Sequence, residues 1–210
     1  MDRAQAAADV LAVQWHYASR GRSLASAALA GARHFVEWAH YPRDDHVDPA
    51  SGVRFYYHAH PAAERAAAEH GHFHVFVPTP RVPGAISHLV GISLDAKGLP
   101  LRLFTTNRWV TGETWRDAGT IAALLPDLTL RAAGPLAPVA RWVMALLRLY
   151  DDVVIDLLYQ RDRRLAPGEA ALEDHRLHIV SQQSISLPHR LERAAARLNS
   201  PKEEAHVTSV

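Results

Sequence analysis

Five histidines, His58, His60, His70, His72 and His74, fall between positions 58 and 74, where an even spread of 14 histidines over 210 residues would place about one. Side chains alternate across a β-strand, so His58 and His60 would share one face of their strand and His72 and His74 one face of theirs, with His70 continuing the second series. If the two faces coincide, four imidazoles converge within the few ångströms that a metal requires. Glu69 or an aspartate of the 44–48 loop could then complete the coordination with oxygen. Packing alone explains such a set poorly, because crowded neutral imidazoles leave ring nitrogens without partners at about 1–3 kcal/mol each. The candidate ligands of a divalent metal, zinc or iron, are therefore His58, His60, His72 and His74, with Glu69 as candidate general base. The bland alternative is a polar, partly hydrated sheet face.

Other chemistry is more sparsely signalled. The segment TTNRWVTGETW places Arg108 in a polar loop after a strand, where it could grip a carboxylate or phosphate in bidentate fashion. A capped loop-to-helix transition accounts for that segment equally well. His16, His34, His175, His178 and His189 read as hydrogen-bonded core residues. So does His88, which shares the parity of Ile86, Val90, Ile92 and Leu94. Asp151, Asp152 and Asp156 read as solvated. There is no serine nucleophile elbow, no glycine-rich phosphate loop and no H-E-x-x-H helix.

Composition narrows the classes further. With 23 basic against 22 acidic residues there is no surplus positive surface for phosphate contacts, so nucleic acid is not an expected partner. The absence of cysteine excludes disulfides, thiolate metal sites and cysteine nucleophiles, and any metal must use nitrogen and oxygen donors. No apolar run has the length of a membrane span, and the N-terminus lacks the pattern of a secretory leader. A cytoplasmic protein acting on a small molecule is the expectation, without membrane contact.

The elements that must position these residues divide the chain into three sections. Residues 1 to about 40 read as two helices separated near Gly21, the second ending at Tyr41-Pro42, followed by a surface loop through Gly52. Strands are expected near 53–60, 72–78, 85–94 and 99–106, the last two joined by an Asp95–Gly98 hairpin turn. Between the first two strands, PAAERAAAEHG reads as a short helix. From 137 to 162 an unbroken apolar stripe predicts one long amphipathic helix of about 39 Å. It is either the central core helix or a homodimer interface, and a sheet with one apolar face favours the first. Residues 174–184 offer a further strand, and Ser186 could cap a last helix ending near Asn199. The whole is an α+β fold, a four-stranded, mainly antiparallel sheet with N-terminal helices and a long C-terminal amphipathic helix. One domain is expected over residues 1–200, with a disordered tail over 201–210.

Three resemblances accompany this reading. The run His70-Gly71-His72-Phe73-His74-Val75-Phe76 resembles the histidine-triad pattern, which implies nucleotide hydrolysis or transfer, with His72 as nucleophile and His70 and His74 as supporting donors. The spacing of Gly52, His58, His60, Glu64 and Gly71 resembles the first cupin motif, which implies that the two histidines and Glu64 bind a metal. The segments YYHAH, EHGHFHVF, HLVGISLDAKG and LFTTNRWVTGETW are similar to a family of uncharacterised bacterial proteins, across most of residues 35–185. The functional expectation is a histidine-ligated metalloenzyme, either a hydrolase or a non-haem oxygenase. The alternatives are nucleotide chemistry through His72 and a non-catalytic metal-binding or sensor protein.

Overall fold

Strand β3, Gly71–Pro78, alternates His72, His74 and Phe76 with the apolar Phe73, Val75 and Val77, and it lies in the interior of a sheet that the flanking strands extend on both sides. The structure is a computed structural model that describes residues 1–79, 82, 84–165 and 168–199. Its sheet contains β1 (Tyr41–Val47), β2 (Arg54–His58), β3, β4 (Ile86–Leu94), β5 (Pro100–Thr106) and β6 (Ile179–Ser184), antiparallel throughout and in chain order. The fold is α+β as expected, but the sheet has six strands rather than four. The two added strands are its edges: β1, expected as a loop, and β6, which is the further strand expected over 174–184 now joined to β5. β1, with the sequence YPRDDHV, reads as a loop because an edge strand tolerates proline and charge on its unpaired side. β6, IVSQQS, exposes three polar residues at its C-terminal end for the same reason.

The helices are α1 (Arg3–Ala18), α2 (Leu24–Ala28), α3 (Arg108–Thr111), α4 (Ala118–Ala122), α5 (Ala137–Leu149), α6 (Asp151–Leu165), α7 (Glu169–Leu172) and α8 (Leu187–Asn199). Three expectations change here. The second N-terminal helix stops at Ala28 instead of Tyr41, because Ala30 and Gly31 take left-handed backbone angles that end it. The alanine-rich segment after β2 forms turns rather than a helix. Ten residues with no large apolar side chain have nothing to bury, and isolated short helices are marginal. The stripe over 137–162 is carried by two helices, since Tyr150 leaves helical geometry, donates its hydroxyl proton to the Ser186 carbonyl (3.0 Å) and lets α6 start afresh at the paired acids Asp151 and Asp152.

That stripe is covered within the chain. Val139, Trp142, Val143, Leu146, Leu147, Val154, Leu157 and Leu158 are all buried, and the Trp142 ring lies 6.3 Å from that of Phe73 on β3. α5 packs against α1 and the sheet, while α6 lies along β6, where the Ser181 hydroxyl donates to the Leu157 carbonyl at 2.8 Å. Phe55, Tyr57, Phe73, Val75, Val90, Ile92 and Leu103 join this core from one face of the sheet. At about 25 cal/mol per Å² of apolar surface removed from water, that layer supplies the main drive for folding and leaves the opposite face free for other work. Among the described residues no helix is long and apolar enough to cross a membrane. The tail expected over 201–210 lies outside the described residues.

Candidate metal centre

The opposite face is built by cross-strand rows. His58 of β2 sits beside His72 of β3, which sits beside Ser93 of β4, which sits beside Arg102 of β5. The next row is Tyr56, His74, Gly91 and Phe104. Residues directly opposite on one face are neighbours, so these registers bring the imidazoles together. Gly91 is required for the second row, because a Cβ there would stand 2.2 Å from the Phe104 ring. Without it, Phe104 reaches over to meet the edges of His72 and His74 at centroid distances of 5.3 and 5.7 Å.

Among the described residues, His58, His72 and His74 each offer a nitrogen, all within 4.8 Å of one another, and all three side chains are buried. The Nε2 atoms of His58 and His72 are 2.7 Å apart. Four-coordinate zinc with Zn–N bonds of 2.0–2.1 Å holds its nitrogens about 3.3 Å apart, so a small opening of this pair would admit the ion.

Of the three rings, His72 has the partner that selects its tautomer, and His74 has one that holds its orientation. His72 donates from Nδ1 to Glu69 at 2.7 Å, leaving Nε2 for the centre. Glu69 also accepts from the Ser93 hydroxyl (2.7 Å) and from Arg102 (3.0 Å). Behind His74, its Nδ1 is 2.9 Å from Nε2 of His88, whose Nδ1 lies 3.2 Å from the Thr106 hydroxyl. The His88 backbone N–H donates to the buried Glu113. Such partners orient metal-binding histidines and raise their basicity. His58 Nδ1 is buried and has no partner among the described residues.

The electrostatics agree with a cation-binding role. Burial, and then the neighbouring imidazoles His72 and His60, push the His58 pKa down to about 2, while the His60 pKa falls to about 4 through burial and the proximity of His72. Burial likewise holds His74 well below the usual histidine range and takes His88 to about 3. Burial alone would raise Glu69, but the hydrogen bonds from His72 and Ser93 and the charge of Arg102 outweigh it and lower its pKa to about 2. Neutral imidazoles at His58 and His74 and an ionised carboxylate at Glu69 are protonation states that metal binding requires. Glu113 is the reverse case, a buried carboxyl pushed up to about 8 and therefore largely protonated at neutral pH.

The triad lies along a cleft of about 660 Å³ whose apolar walls include Trp38, Tyr56, Phe104 and Trp109, with Arg65 and Arg102 also lining it. His60 stands in the wall, stacked on Trp38 at 4.2 Å and 5.2 Å from His72 by centroid, outside the three-nitrogen set. His70 does not belong to this face. It precedes the strand, so strand parity does not extend to it, and its Nδ1 pairs with the Tyr57 hydroxyl at 2.7 Å while its ring stacks on Phe35. Arg108 faces acids at the surface, Glu169 and Glu173, while its neighbours Trp109 and Val110 line the cleft. Glu64 is exposed and lines the same cleft.

His88 corrects the parity reading. It is buried, but a β-bulge between the Val75–Val90 and Phe76–His88 pairs inserts Leu89 and turns His88 onto the histidine face. His34, His175, His178 and His189 are exposed rather than in the core, since they sit on loops or on the outer face of α8. Arg102 and Ser93 do not stand out from the sequence, and Glu113, one of the polar groups of the TTNRWVTGETW loop, is buried behind His88 rather than placed in the cleft. Strand parity tied Arg102 to Phe104 and Ser93 to Gly91, but nothing local said which face was the working one.

A family model for a domain of unknown function, DUF6969, matches residues 4–185. The chain belongs to that family. No curated protein and no solved structure matches it. The DUF6969 match agrees with the resemblance to an uncharacterised family and does not support the histidine-triad or cupin resemblances.

Proposed function

We propose that this DUF6969 chain is a metal-dependent enzyme whose ion is held by His58, His72 and His74 and acts on a small molecule in the adjoining cleft. The observation that carries this reading is the convergence of three buried nitrogens beside an aromatic-lined cleft, within 4.8 Å of one another. Three imidazole nitrogen ligands beside a substrate-sized cleft suit zinc or iron. Zinc would supply a water acidified for hydrolysis, and iron would supply oxygen chemistry.

The chain's own residues divide the remaining work. Glu69 holds the His72 ring in the tautomer that presents Nε2, and with both oxygens engaged and its pKa lowered to about 2 it acts as a positioning residue rather than a general base. His88, itself 3.2 Å from the Thr106 hydroxyl, holds the orientation of the His74 ring through Nδ1. His60, half-buried in the cleft wall and neutral above about pH 4, can accept a hydrogen bond from a group in the cleft. The buried rings of Phe104 and Tyr56 keep water from their side of the centre and strengthen electrostatic interactions there.

The test is the metal content of untagged protein by elemental analysis, beside a His58→Ala/His72→Ala double variant checked for folding by circular dichroism. About one equivalent of zinc or iron, lost in the folded variant, is expected. Protein that contains no metal and binds none on titration would overturn the proposal.

A further inference from the structure

The cleft beside the triad has a composition that selects its occupant. Trp38, Tyr56, Phe104 and Trp109 give it flat apolar walls, and its volume of about 660 Å³ is that of a small-molecule pocket. At the end nearest His72 the wall changes character. Arg102 extends over the Phe104 ring, its guanidinium carbon 5.3 Å from the ring centroid, and bonds through single N–H groups to Ser93, Gln182 and Glu69. A guanidinium carries more donors than those three bonds use, in a planar fork suited to a carboxylate.

The charge balance at that end points the same way. Glu69 and Arg102 offset each other's charge, so neither opposes a further cation, and Arg102 offers an incoming oxygen its unused N–H donors rather than a surplus charge. Three imidazoles add no negative charge, and a divalent ion among them would keep its full positive charge facing the cleft. An anionic oxygen is therefore attracted to the polar end, while a flat apolar body is favoured by the walls.

We propose that the cleft takes a small aromatic carboxylic acid, its ring among the aromatic walls and its carboxylate at the end shared by the histidine triad and Arg102. The metal part of this charge argument rests on the function proposed above, and the contribution of Arg102 does not.

Isothermal titration calorimetry of zinc-loaded protein with benzoate, benzamide and acetate tests both halves of the ligand. Benzoate should bind about tenfold more tightly than benzamide, which lacks the charge, and than acetate, which lacks the ring. Arg102→Gln, with zinc content and circular dichroism measured alongside, should narrow the gap between benzoate and benzamide. Trp38→Ala should weaken benzoate and leave acetate unchanged. If Arg102→Gln fails to fold, Arg102→Lys, which keeps the charge without the fork, should give a smaller narrowing of the same gap. Equal binding of benzamide and benzoate, equal binding of acetate and benzoate, or no binding of benzoate would overturn the assignment. Protein that takes up no zinc would sink the metal reading instead. The same titrations on that metal-free protein would then decide the ligand class alone, with a retained preference for benzoate supporting it and a lost one overturning it.

Discussion

The two faces of the sheet are made by the same strands and held by different forces. On β3, Phe73 and Val75 point to a layer of helices and are fixed by packing against residues such as Trp142, whereas His72 and His74 point away and are fixed by named hydrogen bonds to Glu69 and His88. A packed face is forgiving of which apolar residue fills it, provided volume is kept. A hydrogen-bonded face has little such freedom, because each ring nitrogen needs one partner of the right kind. The fold can thus be stabilised on one side of a strand while its chemistry is arranged on the other.

Removing pairs from each face separates these roles most sharply. The His58→Ala/His72→Ala variant should lose metal binding altogether while retaining its circular dichroism spectrum, and unfolding along with metal loss would mean that the two faces are not independent. On the core side, Trp142→Ala should cost about 3–5 kcal/mol in urea unfolding, from lost burial and the cavity left behind. Its effect on metal affinity, measured by competition with a chelating dye in the folded fraction, should be slight.

Subtler changes sharpen the same contrast. Glu69→Gln, which keeps the shape but removes the charge that His72 and Arg102 meet, should weaken metal affinity by about 10–100-fold with a smaller effect on unfolding. Gly91→Ala should displace Phe104 from the histidines and cost about 1–3 kcal/mol by overpacking, measurable as a lowered urea midpoint. The smallest effect is expected away from both faces. Burial raises the Asp48 pKa, but the backbone N–H groups of Ala50 and Arg131 and its contacts with Ser51 outweigh that and hold it below the ordinary carboxylate value. Its stabilisation is therefore fully present above the ordinary aspartate range and is lost as pH falls through the lowered value. Asp48→Asn should flatten the acid limb of the stability curve without altering metal content near pH 7.

Some of this architecture was legible because alternation is a local property. The histidine and apolar residues of β3, the Asp95–Gly98 turn and the interior strands all follow from spacing and turn chemistry. The edge strand β1 is not legible, since its sequence YPRDDHV is polar where no neighbouring strand covers it, whereas β6 falls within the further strand that residues 174–184 offer without showing that it joins the same sheet. The break at Tyr150 was hidden because one apolar stripe continues through both α5 and α6. Glu69 was placed near the histidines, but its engagement with Ser93 and Arg102 depends on strands far along the chain. Arg108 stands out in the sequence because a polar loop after a strand is a common place for binding groups, and only the register shows that Arg102 is the arginine in the row of His72.

The sequence by itself determined that His72 and His74 share a face and that Phe73 and Val75 share the other, because a pleated strand turns successive side chains in opposite directions. It also determined, through the absence of cysteine, that any metal ligands must be nitrogen or oxygen. Only the tertiary structure decided that His58 stands opposite His72, that a bulge brings His88 behind His74, and that His70 is turned to the core side. The physical reason is register: a one-residue slip in pairing would send every side chain of a strand to the other face, and register is settled by the packing of the whole sheet rather than by any segment alone.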